Sequence, residues 1–404
     1  MIQDGDWMKQ VLLLGINERA GLAICRSLRR GGIIVSAVRT TKPSSAESSN
    51  CIKEVFDIGS PEESAGAFCN RLLEILQFEE YDLLIPVDDV ACRICTEFRN
   101  KIERHVKIAL SDNESMMAAQ NKGLLLEMCR EMDIPFPETN IIQTENDLAY
   151  YKTFSNFPVY LKPITNAQYI NDKIQTFKVV KVETYEEMTE FCKNVIDKLP
   201  ILVQKPCKGI GTGVHVLVKE GKILSIVQQV RLHEPVNGGG GSYRMTVPVD
   251  HKLREYTEKL MEMTAWTGVA MVEFKGDPTT EEWFIMEING RFWGSLPLTI
   301  SAGLNYPMWL YNLFANSMEV ESNREPTIYM RQRNLKKDVG WLLANIKRNP
   351  NKLDTVIRWL ADFKFIMYGK EKLDIEDWKD FLPAIHDWKD LLMANLRKTG
   401  NRTI

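Results

Sequence analysis

No apolar run in the 404 residues approaches the roughly 20 that a membrane span requires. The opening segment MIQDGDWMKQ has no apolar signal core. These two absences predict a cytoplasmic chain with no membrane partner. An excess of positive charge is also missing. Lys and Arg number 51 against 54 Asp and Glu, a formal net charge of −3, and no basic stripe stands out, so a nucleic-acid partner is not expected. The eight cysteines are scattered, and the C-x-x-C of Cys92 and Cys95 has no second pair to complete a zinc site. Reduced, mostly buried thiols are expected instead. Histidine is scarce, with five in the chain, and no Ser-His-Asp or Cys-His arrangement is evident. The turn GINERAG (15–21) is not a full G-x-G-x-x-G, which argues against dinucleotide binding there.

What is present divides into three parts. VLLLG (11–15), a helix-like stretch at 18–32, IIVSAV (33–38), a helix-like stretch at 62–77 and YDLLIPV (81–87) follow a βαβαβ order. That order predicts a parallel, Rossmann-like sheet over residues 1–112. Residues 111–139 read as a helical stretch. Seven strand-like runs then follow at 157–163, 177–182, 200–206, 214–218, 222–230, 269–274 and 283–288, with helices at 185–199 and 251–266. This is an α+β domain, predicted over 113–312, with a smaller subdomain to about 200 and a larger one from 201. Residues 313–404 read as mostly helical. Near the end, Trp378, Phe381, Leu382, Ile385, Trp388, Leu392 and Leu396 form one apolar stripe, with Pro383 kinking or restarting the helix. Core packing is the ordinary use of such a stripe. The alternative is the face of a homodimer or of another partner.

The most informative segment is TGVAMVEFK (267–275) followed by WFIMEINGRFWGS (283–295). Two strand-like runs flank a turn-rich GDPTTEE, which predicts a hairpin. Alternate strand residues share a face, so Glu287 and Asn289 point the same way. A hairpin centred near Thr280 places Glu273 opposite Glu287. Simple alternation puts Val269, Met271, Trp283 and Ile285 on the face of these acids. Ala270, Val272, Phe274, Phe284, Met286 and Ile288 fall on the other, so both faces are expected to be buried. Like charges opposed across a sheet are destabilising, and an unpaired buried carboxylate is costly. A bound cation removes both problems. Two carboxylates and an amide oxygen are hard ligands of the kind magnesium takes, with phosphate oxygens completing its shell. The other reading is that the acids pair with a nearby Arg or Lys, such as Arg291.

VAMVEFK, MEINGRFWGSLPL and SAGLNYP together resemble the C-terminal half of the ATP-grasp fold, closest to its carbamoyl-phosphate-synthase-like and carboxylate–amine ligase branch. The resemblance is specific there. It extends more loosely over residues 10–310, including LIPVDD and NKGLLLEMCREMDIPFPET. It implies an ATP-grasp fold, with an N-terminal Rossmann-like pre-ATP domain and a helical C-terminal extension. It also implies that Glu273, Glu287 and Asn289 hold magnesium. Lys122 and Lys162 match the lysines that reach the phosphates of ATP. QKPCKG (204–209) matches the strand whose backbone meets adenine, which assigns Gln204, Lys205, Cys207 and Gly209 to the cofactor. Arg231 and Arg291 match arginines facing the phosphates and an acyl-phosphate, and GGGGSYR (238–244) matches a glycine-rich loop near the reacting groups. The implied activity is an ATP- and magnesium-dependent ligase that activates a small carboxylate for attack by an amine. Two positions depart from the pattern. The stretch PITNAQYINDK (163–173) has no glycine where a glycine-rich phosphate loop is usual, and Lys205 stands where a glutamate is usual. They motivate two other readings: a nucleotide-binding protein without ligase activity, and a helical interaction module carried on an ATP-grasp core.

Overall fold

The computed structural model describes residues 9–17, 19–153, 156–234, 240–316, 324–349 and 351–389. The first part is a five-stranded parallel sheet of β1 (Gln10–Leu14), β2 (Ile34–Val38), β3 (Val55–Phe56), β4 (Leu83–Pro86) and β5 (Lys107–Ile108), in the order β3-β2-β1-β4-β5. The parallel strands are nearly all apolar because helices cover both faces, as the βαβαβ reading predicts. β3 and β5 are two residues long, too short for any periodicity to reveal. The strand order reverses between β1 and β4. In open sheets of this kind, ligands gather at the carboxyl ends of the strands beside such a reversal.

The helical stretch read over 111–139 is two helices, Asn113–Gln120 and Lys122–Glu131. They part at Asn121, whose side-chain oxygen accepts from the amides of Gly123 and Leu124 and so starts the second helix. Lys122 is thereby the first residue of a helix, and its own amide donates to the carbonyl of Ile164.

A four-stranded antiparallel sheet follows, ordered β10-β7-β11-β6 from β6 (Thr139–Ile142), β7 (Val159–Pro163), β10 (Val180–Val182) and β11 (Ile201–Gln204). Between its strands the glycine-free stretch at 163–173 forms a separate hairpin of β8 (Ala167–Ile170) and β9 (Lys173–Thr176). Asn171 and Asp172 form its turn at φ 49° and 58°. Positive φ at both central positions is what a tight hairpin needs, and Asn and Asp are the non-glycine residues that tolerate it. The turn also caps the helix Ala65–Phe78: Asp172 accepts from the Gly66 amide at 2.8 Å and from the Ser64 hydroxyl at 2.6 Å.

The large sheet has seven strands in the order β16-β15-β12-β13-β14-β17-β18. They are β12 (Ile210–Lys219), β13 (Lys222–His233), β14 (Tyr243–Val247), β15 (Gly268–Asp277), β16 (Glu282–Asn289), β17 (Arg331–Arg333) and β18 (Glu371–Leu373). The last two belong to the region read as helical. That region does contain the helices Leu335–Arg348 and Lys352–Asp362, but it also adds two three-residue strands to the edge of the sheet. It reaches back to the first sheet as well. Arg26 lies on the buried face of the helix Ala20–Arg30, and its Nε donates to Asp380 at 2.8 Å.

The apolar stripe near the end lies only partly on a helix, since a helix begins at 382 with Pro383 in its first turn. Trp378 is 93% exposed, so it is not core. Leu392 and Leu396 lie outside the described residues. No described helix is long and apolar enough to cross a membrane.

Candidate functional site

Across the large sheet, register sets out the floor of a site. Glu287, Glu273, Gly213 and Gln229 are successive cross-strand neighbours on β16, β15, β12 and β13. Asn289, Met271, His215 and Val227 form the next row. Directly paired residues share a face, so both rows look the same way. The opposite face, with Val214, Val272, Phe274 and Ile288, is buried against Leu253 and Leu260 of the helix His251–Met263.

The pairing of Glu273 with Glu287 is the one expected from the hairpin, but the facing of its other residues is not. A bulge follows Glu273, so Phe274 pairs with Ile285 and Met286 is the extra residue. Trp283 and Ile285 therefore turn to the core side with Phe274, instead of sharing a face with the acids. The acid-bearing face is half-buried and polar, not apolar. The cation that pairs with Glu273 is Arg231, whose Nη2 donates at 2.6 Å; Glu287 accepts from the side-chain Nδ2 of Asn289 at 3.0 Å. Burial raises the pKa of Glu273; the charge of Arg231 opposes this and that of Glu287 reinforces it.

Arg291 pairs instead with Asp89, through two hydrogen bonds of 2.6 and 3.0 Å. Burial works against the guanidinium's charge, but Asp89 wins and holds the pKa of Arg291 above its ordinary value. Asp89 opens the helix Asp89–Glu97 at the carboxyl end of β4, beside the strand-order reversal. Its neighbour Asp88 caps that helix through the Ala91 amide, and Gly15 at the end of β1 leaves it room, since a Cβ there would lie 2.6 Å from Asp88 Oδ2. Asp88 and Asp89 are functional candidates that no spacing argument singled out. The available signal was their place, immediately after a buried parallel strand.

A narrow cavity lies between Asp89, Arg291, Glu287 and Lys122. Lys122 is 5% exposed and its Nζ donates to Asn166 at 2.8 Å. Burial lowers its pKa, partly offset by Glu287 and Asp89. Lys162 on β7 is also buried, and burial lowers its pKa against the opposing pull of Glu287. A larger cavity of about 230 Å³ shares Glu287, Asn289 and Arg291 with the first and adds Arg19, Arg231 and Arg244. Gly240 and Gly241 close one side of it. The rest of the glycine-rich loop, Gly238 and Gly239, lies outside the described residues. His215 lies in the floor, fully buried, and burial pushes its pKa down to about 3.

The residues expected to meet adenine line neither cavity. Gln204 is buried and donates to Thr139 Oγ1 at 3.0 Å; Lys205 pairs with Glu138 at 2.7 Å. Gly209 has a structural reason to be glycine: its φ is +103° and a Cβ would stand 2.1 Å from the carbonyl oxygen of Gly276. Cys207 is half-buried, and burial raises its thiol pKa. Cys92 and Cys95 are both buried in the helix Asp89–Glu97, where burial raises the pKa of both thiols. Among the described residues no group of three or more His, Cys, Asp or Glu could hold a metal ion. The pair Glu273 and Glu287 reaches three oxygen-bearing residues only through Asn289.

A family model described as ATP-grasp in the biosynthetic pathway with Ter operon matches residues 178–337. A D-aspartate ligase of Enterococcus faecium is 25% identical over 239 residues, 55% of this chain and 56% of that protein. The chain thus spans just over half the length of that curated relative. Among solved structures, the L-amino acid ligase from Bacillus licheniformis superposes with a TM-score of 0.60 at 15% identity, over 79% of this chain and 77% of that one. The biotin carboxylase domain of the Hydrogenobacter thermophilus 2-oxoglutarate carboxylase, solved with magnesium ADP and bicarbonate, gives 0.59 at 14% identity, over 80% and 72%. The sheets, their order and these likenesses agree: the chain has the fold of these ATP-dependent enzymes, and its residues 178–337 match an ATP-grasp family model.

Proposed function

We propose that this protein is an ATP-dependent ligase that activates a small carboxylate as an acyl-phosphate and joins it to an amine. The observation that carries the reading is the convergence of Glu273, Glu287 and Asn289 with Arg231, Arg291 and Lys122 around two adjoining cavities, with Lys162 buried nearby. A relative named as a D-aspartate ligase supports it, as does a structural neighbour solved with magnesium ADP.

Fit to magnesium rests on the donors themselves. Two carboxylates on adjacent strands and an amide two residues along are hard oxygens without a thiol or imidazole among them. When bound with ATP, magnesium neutralises phosphate charge in a transfer that depends on positioning more than on a nucleophilic side chain. Glu273, Glu287 and Asn289 would hold it, and Arg231 would be freed from Glu273 to face phosphate oxygens. Lys122 and Lys162 are confined by burial and both feel the charge of Glu287, so they would bind phosphate as point charges. Arg291, held by Asp89 in a fixed plane, would orient the carboxylate or the phosphoryl group it receives. The carboxylate oxygen takes the γ-phosphoryl group as ADP leaves. The amine then attacks the acyl carbon, phosphate departs and a proton is lost from nitrogen. Gln204, Lys205, Cys207 and Gly209 stay assigned to the adenine side. A cytoplasmic location and a homodimer built on the exposed C-terminal aromatics belong to the same reading.

The test is ADP and phosphate release measured with a panel of acids and amines in the presence of magnesium. Release should require both an acid and an amine. The Glu287→Gln variant should lose about 100- to 1,000-fold in turnover, the scale of removing one pre-organised charge-stabilising group. Turnover that survives this substitution intact would remove Glu287 from the magnesium set. ATP binding with no ADP formed across the panel would favour a nucleotide-binding protein without ligase activity, the reading prompted by the glycine-free stretch at 163–173.

A further inference from the structure

Gly213 lies between Glu273 and Gln229 in one cross-sheet row, with His215 two residues further along β12 on the same face. The missing side chain at 213 leaves the edge of the His215 ring turned toward the cavity: a Cβ there would stand 2.9 Å from its Cε1 and 3.0 Å from its Nε2. His215 Nδ1 lies 3.3 Å from the carbonyl oxygen of Val227. A carbonyl can only accept, so Nδ1 carries the proton and Nε2 carries a lone pair. Nε2 is buried and has no hydrogen-bond partner. Gln229 donates through Nε2 to Thr299 Oγ1 at 2.7 Å, which leaves its Oε1 buried and likewise without a partner. Two buried acceptors with no donor are costly unless something supplies N–H or O–H groups.

The rest of the cavity wall has the opposite character. Arg231, Arg244, Arg291 and Arg19 line it, so it offers donors and positive charge. An occupant that satisfies both sides carries an anionic group and, close by, at least two donor hydrogens. A hydroxyl has one such hydrogen; an ammonium group has three. A neutral imidazole can also accept N–H beside Glu273 and Glu287 without placing a third like charge on the same patch of sheet. We propose that the carboxylate substrate is an amino acid, and that His215 Nε2 and Gln229 Oε1 select it by receiving its ammonium group over Gly213. The proposal rests on the ligase reading for its carboxylate, but the ammonium site is a property of the cavity and can be read by binding alone.

The experiment uses the full chain with magnesium and a non-hydrolysable ATP analogue. Calorimetry compares L- and D-amino acids with their desamino and α-hydroxy counterparts, and with methylamine. At least one amino acid should bind about 100-fold more tightly than its desamino counterpart, the discrimination expected when buried polar groups would otherwise go unpaired. His215→Phe keeps the ring and removes the acceptor, and should cut that preference below about tenfold with affinity for the ATP analogue unchanged. Gly213→Ala should do the same with the imidazole in place, and Gln229→Leu gives a third reading if either variant fails to fold. Equal affinity for amino and desamino acids overturns the proposal. So does a preference that survives in folded His215→Phe and Gly213→Ala. Methylamine competing as well as the amino acid assigns the site to the attacking amine and overturns it too. Selective amino-acid binding with no ADP formed would sink the ligase reading and leave this inference standing. Equal turnover of desamino acids would do the reverse.

Discussion

Asp338 is fully buried on the helix Leu335–Arg348 and accepts from four donors. His233 Nδ1 and Ser242 Oγ reach it at 2.8 Å each and Trp359 Nε1 at 2.7 Å, and the guanidinium of Arg333 completes the set. His233 and Ser242 are the two stems of the glycine-rich loop, so one aspartate of the C-terminal region holds both. Asp338→Asn preserves shape and removes the charge. The single amide oxygen can serve about half of the donors, and the new NH₂ faces the others. Arg333 keeps Glu371 at 2.7 Å and is not orphaned. Two donors left unpaired at about 1–3 kcal/mol each place the loss at about 2–6 kcal/mol. At roughly 2–4 °C per kcal/mol for a cooperative unit of 150–250 residues, Tm should fall by about 4–24 °C.

The pH dependence carries the second half of the prediction. Burial acts to raise the pKa of Asp338, but the hydrogen bond and charge of His233, with Arg333 and Ser242, leave it below the ordinary value of 3.8. A depressed folded pKa means that the stabilisation is present above the unfolded pKa and is lost as pH falls through the folded one. The gap between wild type and Asp338→Asn should therefore be flat from pH 7 to about 5 and narrow only below about pH 4. Urea or thermal melts of both proteins across that range test it. A Tm difference under about 2 °C at pH 7 would refute the count of lost hydrogen bonds. A gap that already narrows between pH 7 and 5 would show that some other group titrates.

Two further outcomes follow from the site. Gly209→Ala forces a side chain into a φ of +103° and toward the Gly276 carbonyl, so it should destabilise by about 1–3 kcal/mol or more in urea unfolding; a change within about 0.5 kcal/mol would mean that β12 and β15 can separate there. Lys162→Met removes a buried cation beside Glu287 and should raise KM for ATP about 10-fold or more in steady-state ADP release, the loss of one charge-assisted hydrogen bond to phosphate. An unchanged KM would take Lys162 out of the phosphate site.

Much of the architecture was legible because local periodicity reports which face a residue takes. The five alternating elements of the first part predicted a parallel sheet, and the turn-rich GDPTTEE set Glu273 opposite Glu287. The same logic failed one residue later. A bulge at Met286 reverses the alternation, and nothing in an apolar run marks where an extra residue will be accommodated. The strands β17 and β18 were missed for a related reason. Three residues hold no period; β17 becomes a strand only because the edge of β14 is there to pair with it, and β18 because β17 is.

By itself the sequence determined the longer elements, their order and the acids of one hairpin, since those depend on neighbours along the chain. Only the tertiary structure decided the partners. Asp89 meets Arg291 across 202 residues of chain, and Arg231, not Arg291, takes Glu273. His215 and Gln229 share a floor with the acids because β13, β12 and β15 lie side by side. Adjacency of that kind is set by which strands bury each other's backbone and apolar faces. Spacing in the sequence carries no record of it.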